Sequence, residues 1–302
     1  MHYAIFYNPT AGRGNNEDTA KKIATKLKAA GHTSEPLTAP NPKKAVEKIC
    51  QAVTEYDGLI SIGGDGTLNL VATAFLQAKK TIPLGIIPGG TINNFAKRWQ
   101  IPHDLDAAVN LILDQHLKQV GIGACQDRQK AIVSSLTFGS LADISNQVRQ
   151  SEKRKFGLLI YPLKGIKQIS QKASYKVQVQ TEDFNEKIKV WIFLLTTTHL
   201  VGGIDYVPSS PHAFHVSILH NMRLGKLFQL LFFVLTGNLR QKKAHTLTYL
   251  KPKKIKLTPL EKKQIYSRID GDKGPALPLT IEFLDGFLPI YAKKTQDDTS
   301  SK

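Results

Sequence analysis

The sequence predicts a chain of two parts, an α/β part followed by an antiparallel β part, and three observations predict it. Over the first 115 residues, apolar strand-like runs alternate with helix-periodic segments, as repeated β-α units around a mostly parallel sheet would. Three of the four runs end in a turn bearing Gly or Pro. After about residue 117 the pattern changes to alternating, β-branched segments with few helical periods, the signature of antiparallel strands.

The elements follow in order. Strands are expected at Tyr3–Tyr7, Thr33–Leu37, Gly58–Ile62 and Pro83–Ile87, and Glu17–Ala30 and Lys43–Tyr56 carry apolar residues three and four apart, as amphipathic helices do. In the second part Ser174–Thr181 and Lys187–Thr196 read as strands, interrupted by helical stretches at Leu141–Gln150, Gly157–Ser170 and Leu224–Leu239. Asp270-Gly271 and Asp285-Gly286 both signal hairpin turns, the second between strand-like runs Leu279–Leu284 and Phe287–Ala292. The domains expected are 1–117 and 118–292, with 293–302 as a tail.

Composition narrows the function. The 302 residues are 41% apolar and 22% charged, which excludes a disordered chain. The net charge of +17 sits mainly in residues 121–302, with 28 basic against 14 acidic side chains, and points to an anionic partner. Two isolated cysteines, Cys50 and Cys125, provide neither a disulfide framework nor a thiolate metal site, so a reduced cytoplasm is expected. The chain opens on a strand-like run with no secretory pattern, and Leu224–Leu239 is too short and too interrupted to span a bilayer. No histidine pair has zinc-helix spacing, and no Gly-x-Ser-x-Gly elbow supplies a hydrolase nucleophile.

Chemistry concentrates in three glycine-bearing loops that follow expected strands: Asn8-Pro9-Thr10-Ala11-Gly12-Arg13-Gly14, Gly63-Gly64-Asp65-Gly66-Thr67-Leu68-Asn69, and Pro88-Gly89-Gly90-Thr91-Ile92-Asn93-Asn94-Phe95-Ala96. In open α/β sheets, ligands bind beyond the carboxyl ends of the strands. Glycines there let backbone N–H groups approach phosphate oxygens, and a helix start adds its free donors. A tight strand-to-helix turn explains one such loop, but three on one sheet edge point to a nucleotide phosphate chain. None is a Walker A or a complete dinucleotide fingerprint. Asp65, an acid inside a phosphate-binding turn, is explained by a divalent cation or a proton transfer, or else by capping a helix.

These residues resemble the bacterial lipid kinases related to the diacylglycerol kinase and sphingosine kinase catalytic domains. GGDGTLN at 63–69 and PGGTINNFA at 88–96 carry the resemblance, with NPTAGRG at 8–14 and Asp270-Gly271-Asp272 in support; GGDGT alone is shared with NAD kinases. The resemblance implies a Rossmann-like nucleotide domain, a C-terminal β-sandwich, and a strand near 287–293 that returns to the first domain. It implies ATP and Mg²⁺, with ATP held by Asn8, Pro9, Thr10, Ala11, Gly12, Thr38, Gly64, Asp65, Gly66, Thr67, Leu68, Asn69 and Thr91. Asp65 would hold the metal, Arg13 and Lys155 would bind phosphate or lipid headgroup, and the active site would lie between the domains.

The family's base is a Glu in Asp-Gly-Glu; here the matching residue is Asp272, one methylene shorter. His212 and Ala213 stand where the family has an Asp-Gly that helps to hold a structural Mg²⁺, and His is a poor ligand for that ion, so this metal is expected to be absent. Basic clusters at 149–176 and 240–256, the second preceded by the apolar run 227–235, suit an anionic membrane surface. The expected function is therefore an ATP-dependent lipid kinase, phosphorylating diacylglycerol at the cytoplasmic face of the membrane. Its rivals are an NAD kinase-like soluble enzyme and a catalytically weakened membrane-binding protein. No nucleic-acid motif is present, and an edge strand of the β part is suited to pairing with a second copy as a homodimer.

Overall fold

The computed structural model describes residues 1–9, 15–139, 174–198, 200–201, 204–205, 212–220 and 247–294. The three helical stretches expected within 141–239 lie outside them. In chain order the first elements are β1 (His2–Tyr7), α1 (Asn16–Ala29), β2 (Thr33–Leu37), α2 (Pro42–Glu55), β3 (Gly58–Gly63), α3 (Asp65–Ala78) and β4 (Leu84–Pro88). Next come α4 (Asn94–Arg98), α5 (Leu105–Leu113), β5 (Leu117–Cys125), β6 (Lys130–Ile132) and β7 (Ser135–Phe138). The remainder is strand: β8 (Tyr175–Gln180), β9 (Asn185–Thr196), β10 (Leu200–Val201), β11 (Ile204–Asp205), β12 (His215–His220), β13 (Leu247–Leu250), β14 (Lys254–Pro259), β15 (Tyr266–Ile269), β16 (Asp272–Ala276) and β17 (Leu279–Tyr291).

The chain forms two units, one of Met1–Ser135, Thr196–Ala213 and Ile281–Lys302, the other of Leu136–Leu195 and Phe214–Thr280. In the first, β2, β1, β3 and β4 lie parallel in that order, and β17 joins as a further parallel neighbour through Ile290 opposite Leu84. Beyond it β5 runs antiparallel to β17, and β6 to β5.

Strand alternation sends Tyr3, Ile5 and Tyr7 to one face, where they pack with Ile23 and Leu27 of α1 and Val109 and Ile112 of α5. Ala4 and Phe6 face the other way, onto Ile49 and Val53 of α2 and Val71 and Phe75 of α3. Both faces are thus covered by helices, which is why these strands read as nearly unbroken apolar runs. The helices begin where local chemistry lets them: Asn41 accepts the Lys44 N–H at 2.9 Å with Pro42 behind it, and α1 opens on Glu17 and Asp18 and closes on Lys26 and Lys28. Strand β2, mostly exposed and holding Pro36, sits at the sheet edge, where a missing N–H is tolerated.

The second unit is β-rich and antiparallel: β8 pairs with β9 and β14, β12 with β13, and β15 with β16 and β7. Alternate residues Val177, Val179, Ile188, Val190, Ile255 and Leu257 are buried, and Phe138 stacks on Phe193 at 4.7 Å. No helix among the described residues is long and apolar enough to cross a membrane.

One turn expected from sequence is different. Asp285-Gly286 does not reverse the chain: β17 continues through it, and the register against β5 moves from Leu284 opposite Ile122 to Leu288 opposite Val120. Asp285, Gly286 and Phe287 of β17 there face Gly121 alone, a bulge, with Gly286 at φ +61. Asp-Gly favours the same left-handed backbone in a bulge as in a hairpin, so the dipeptide alone does not separate the two.

Candidate active site

Parallel pairing brings the strand ends together. Tyr7 lies opposite Ile62, Phe6 opposite Leu37, and Gly63 opposite Pro88, so the loops that follow β1, β2, β3 and β4 all leave from the carboxyl edge of one sheet. That edge carries Asn8, Thr38, Gly64 and Thr91.

The loops after β3 and β4 are locked by backbone contact. The Gly89 N–H donates to the Gly63 carbonyl at 2.9 Å. A Cβ on Gly64 would stand 3.1 Å from the Gly90 Cα, and one on Gly90 would stand 2.7 Å from the Gly64 Cα. Only glycine at both positions lets the backbones approach this closely. Asn93, buried and with φ +53, closes the second loop on itself: its amide oxygen accepts the Gly90 N–H at 3.0 Å and its amide nitrogen donates to the Gly90 carbonyl at 2.8 Å.

Helix α3 starts against this lock. Gly64 is its cap and has no side chain to offer, so the N–H groups of the first turn lack acceptors within the helix and form a positive end suited to an anion. Asp65, the first helical residue, points away from its own helix to α4: its two oxygens accept the Asn94 N–H at 3.0 Å and the Phe95 N–H at 3.1 Å. Burial pushes its carboxyl above the usual carboxylate range, and the two N–H donors and Lys97 pull it partly back. Asp65 is therefore a clamp between two loops that stand about thirty residues apart in sequence.

From α4 the network runs on. Asn94 donates to the Ser134 hydroxyl at 3.2 Å, Thr197 donates its N–H to the Ser134 carbonyl at 3.0 Å, and Arg98 donates to the Thr197 carbonyl at 2.6 Å. Arg98 also stacks over Trp99 at 4.8 Å, and burial pushes its guanidinium down to about 10. Asn93 and Asn94 lie inside the motif at 88–96, where an Asn beside a glycine turn is a legible signal; Arg98 has none.

The remaining residues named from sequence are distributed as follows. Asn8 follows β1, its carbonyl accepting the Asn16 side-chain amide at 2.8 Å, and Pro9 is exposed. Thr38 is half-buried, its carbonyl accepting the Lys48 ammonium at 2.7 Å. Gly66 and Thr67 are half-buried in the first turn of α3, and Leu68 is in the core. Asn69 is buried one turn further on, donating to the Ala131 carbonyl at 2.7 Å, while Thr73 accepts the Ala131 N–H at 3.1 Å; together they pin α3 to β6. Thr91 is exposed. Thr10, Ala11, Gly12, Arg13 and Lys155 lie outside the described residues.

Asp272 belongs to the second unit. Asp270 (φ +53) and Gly271 (φ +94) make a two-residue hairpin turn between β15 and β16, and Asp272 follows, exposed and opposite Ile269. His212 Nδ1 lies 2.8 Å from an oxygen of Asp285, which stands in the bulge of β17. Among the described residues, no group of three His, Cys, Asp or Glu is placed to hold a metal by itself.

Residues 2–125 match the diacylglycerol kinase catalytic domain family. A diacylglycerol kinase of Staphylococcus epidermidis is 27% identical over 295 residues, covering 96% of this chain and 92% of that one. One from Staphylococcus saprophyticus is 28% identical over 287 residues, covering 91% and 90%. A crystal structure from Bacillus anthracis str. Sterne superposes with a TM-score of 0.78 at 20% identity over 97% of both chains, and a diacylglycerol kinase from the same organism with 0.71 at 17% over the same share. At that identity the structures speak for the two-domain fold with its β-rich second domain. The loops, the matched domain and the nearly full-length relatives agree: residues 2–125 carry the match to the diacylglycerol kinase catalytic domain, and the chain is similar to diacylglycerol kinases along almost its whole length.

Proposed function

We propose that this lipid kinase transfers the γ-phosphoryl group of ATP, with Mg²⁺, to the free hydroxyl of a diacylglycerol, giving phosphatidate at the cytoplasmic face of a membrane. The observation that carries the reading is the glycine-on-glycine lock at the head of α3, clamped by Asp65. It leaves a rigid row of backbone donors where triphosphate oxygens need them, inside the stretch that matches the family's catalytic domain.

Phosphoryl transfer asks a protein chiefly for in-line positioning and for a group to take the acceptor proton. In this reading Asn8, Thr38, the first turn of α3 and Thr91 line the nucleotide, with Thr10, Ala11 and Gly12 completing the first loop. Arg13 and Lys155 meet phosphate or headgroup charge. One or two carboxylates would suffice to hold a Mg²⁺, which when bound would neutralise phosphate charge. Asp65 fits that need, because each of its oxygens keeps a lone pair beyond the N–H it accepts. Asp272 takes the proton from the lipid hydroxyl, directly or through one water.

Labelled ATP incubated with diacylglycerol in mixed vesicles tests the proposal. Label in the chloroform phase is the expected result. Label moving instead to NAD in the absence of lipid would establish the soluble-nucleotide reading, and label in no acceptor would leave a binding protein.

A further inference from the structure

We propose that the outer face of the β8–β9–β14 sheet is the surface by which this chain docks on an anionic lipid bilayer; the inference rests on the reading that the acceptor is a membrane lipid. Antiparallel register sorts that face into three rows. Asn185, Gln180 and Lys256 form the first, and Lys187, Gln178 and Thr258 the second. The third holds Lys189, Lys176 and Leu260, whose N–H donates to the Lys176 carbonyl at 2.9 Å. Since the intervening Val177, Val179, Ile188 and Leu257 are buried, all three rows face outward, and the four lysines are exposed.

The three rows hold four lysines and no acid. Lys176 stands directly opposite Lys189, which sets two cations side by side in the third row. The acids of this hairpin, Glu182, Asp183 and Glu186, lie at its turn end or, for Glu186, on the side that faces away from the rows. Positive charge therefore grows toward the third row, where Leu260, 42% exposed, sits beside the lysines. An apolar side chain flanked by cations suits the boundary between headgroups and acyl chains. A single-stranded nucleic acid would favour aromatic platforms between the cations, and none of these nine positions is aromatic.

The test is sedimentation of the full chain with vesicles of phosphatidylcholine alone and of phosphatidylcholine mixed with phosphatidylglycerol. The native protein should bind only the mixed vesicles. The variant carrying Lys176→Glu, Lys187→Glu, Lys189→Glu and Lys256→Glu should lose at least about a hundredfold in partitioning, at about fivefold for each lysine near the surface. A matched variant reversing the exposed Lys22, Lys28, Lys43 and Lys80 of the first unit should keep most of its binding, and an equal loss in both overturns the proposal in favour of net charge. Should the first variant fail to fold, Leu260→Asp alone should weaken binding about tenfold, and undiminished binding overturns the proposal. Capture of single-stranded RNA without capture of mixed vesicles also overturns it.

A short-chain diacylglycerol dispersed in detergent separates this proposal from the kinase reading. A lysine variant that phosphorylates the dispersed substrate normally but fails on vesicles supports the docking face. A native protein that sediments with mixed vesicles and phosphorylates no lipid overturns the kinase reading and leaves the docking face standing.

Discussion

The head of α3 and the β15–β16 turn carry the two ends of the proposed reaction, and they are built by opposite means. At α3 the groups offered to a phosphate are backbone N–H, while the side chains of Asp65 and Asn93 hold that backbone in place. At the turn the backbone is an ordinary two-residue hairpin, and the reactive group is one exposed side chain, Asp272. The first region has no room for an added atom; the second has room but depends on the identity of a functional group. Geometry is the vulnerable quantity in one, chemistry in the other.

That contrast is sharpest at Asp272. Asp272→Asn should lower turnover by about 10²–10⁴-fold, the usual weight of a general base, while calorimetric ATP binding stays unchanged. Asp272→Glu should keep or raise turnover, since it restores the family's longer carboxylate. An Asn variant that still turns over removes Asp272 from its role.

The converse holds at the lock. Gly90→Ala adds one methyl 2.7 Å from the Gly64 Cα, and should destabilise the protein by about 1–3 kcal/mol in urea titration. ATP affinity should fall with it, because the donors at the head of α3 move.

Asp65→Asn leaves one acceptor oxygen for two N–H groups, and should cost about 1–3 kcal/mol. Its pH profile adds a second check. Because the folded carboxyl titrates above its unfolded value, the native state binds the proton more tightly, and Asp65 makes stability fall as pH rises from the ordinary carboxylate range through the raised folded value. The Asn variant should lack that fall; an unchanged slope would assign it to other groups.

The smallest effect is expected at Gly286→Ala. Its φ of +61 disfavours a side chain, but only the Gln119 Cβ, at 3.7 Å, is near, so a loss of about 1 kcal/mol in melting experiments should come from backbone strain alone.

Much of this was legible in the sequence where information is local. Strands β1 to β4 and helices α1 and α2 fall within a residue or two of their periodic patterns, because β1, β3 and β4 are buried on both faces and α2 starts on its own Asn41 cap. The loops after β3 and β4 were legible for the same reason, glycine being required there by backbone geometry. What could not be read was partnership at a distance. Nothing near Asp65 says that its oxygens serve α4, nothing near Gly64 says that Gly90 lies against it, and Arg98 sits in sequence that gives no hint of Thr197. Asp285-Gly286 failed differently: the dipeptide encodes a backbone twist, and the pairing partner β5 decides whether the twist ends a strand or bends it.

Strand β17 has a consequence for biogenesis. It supplies the parallel neighbour of β4 through Ile290, and the Tyr291 hydroxyl lies 3.1 Å from that of Tyr3, joining residues 288 positions apart. A nascent chain leaving the ribosome therefore exposes the β4 edge until β17 has been translated. The first unit is completed only after the β-rich unit has been made, and a premature stop shortly before residue 281 would deprive it of a strand while every glycine loop had already been synthesised.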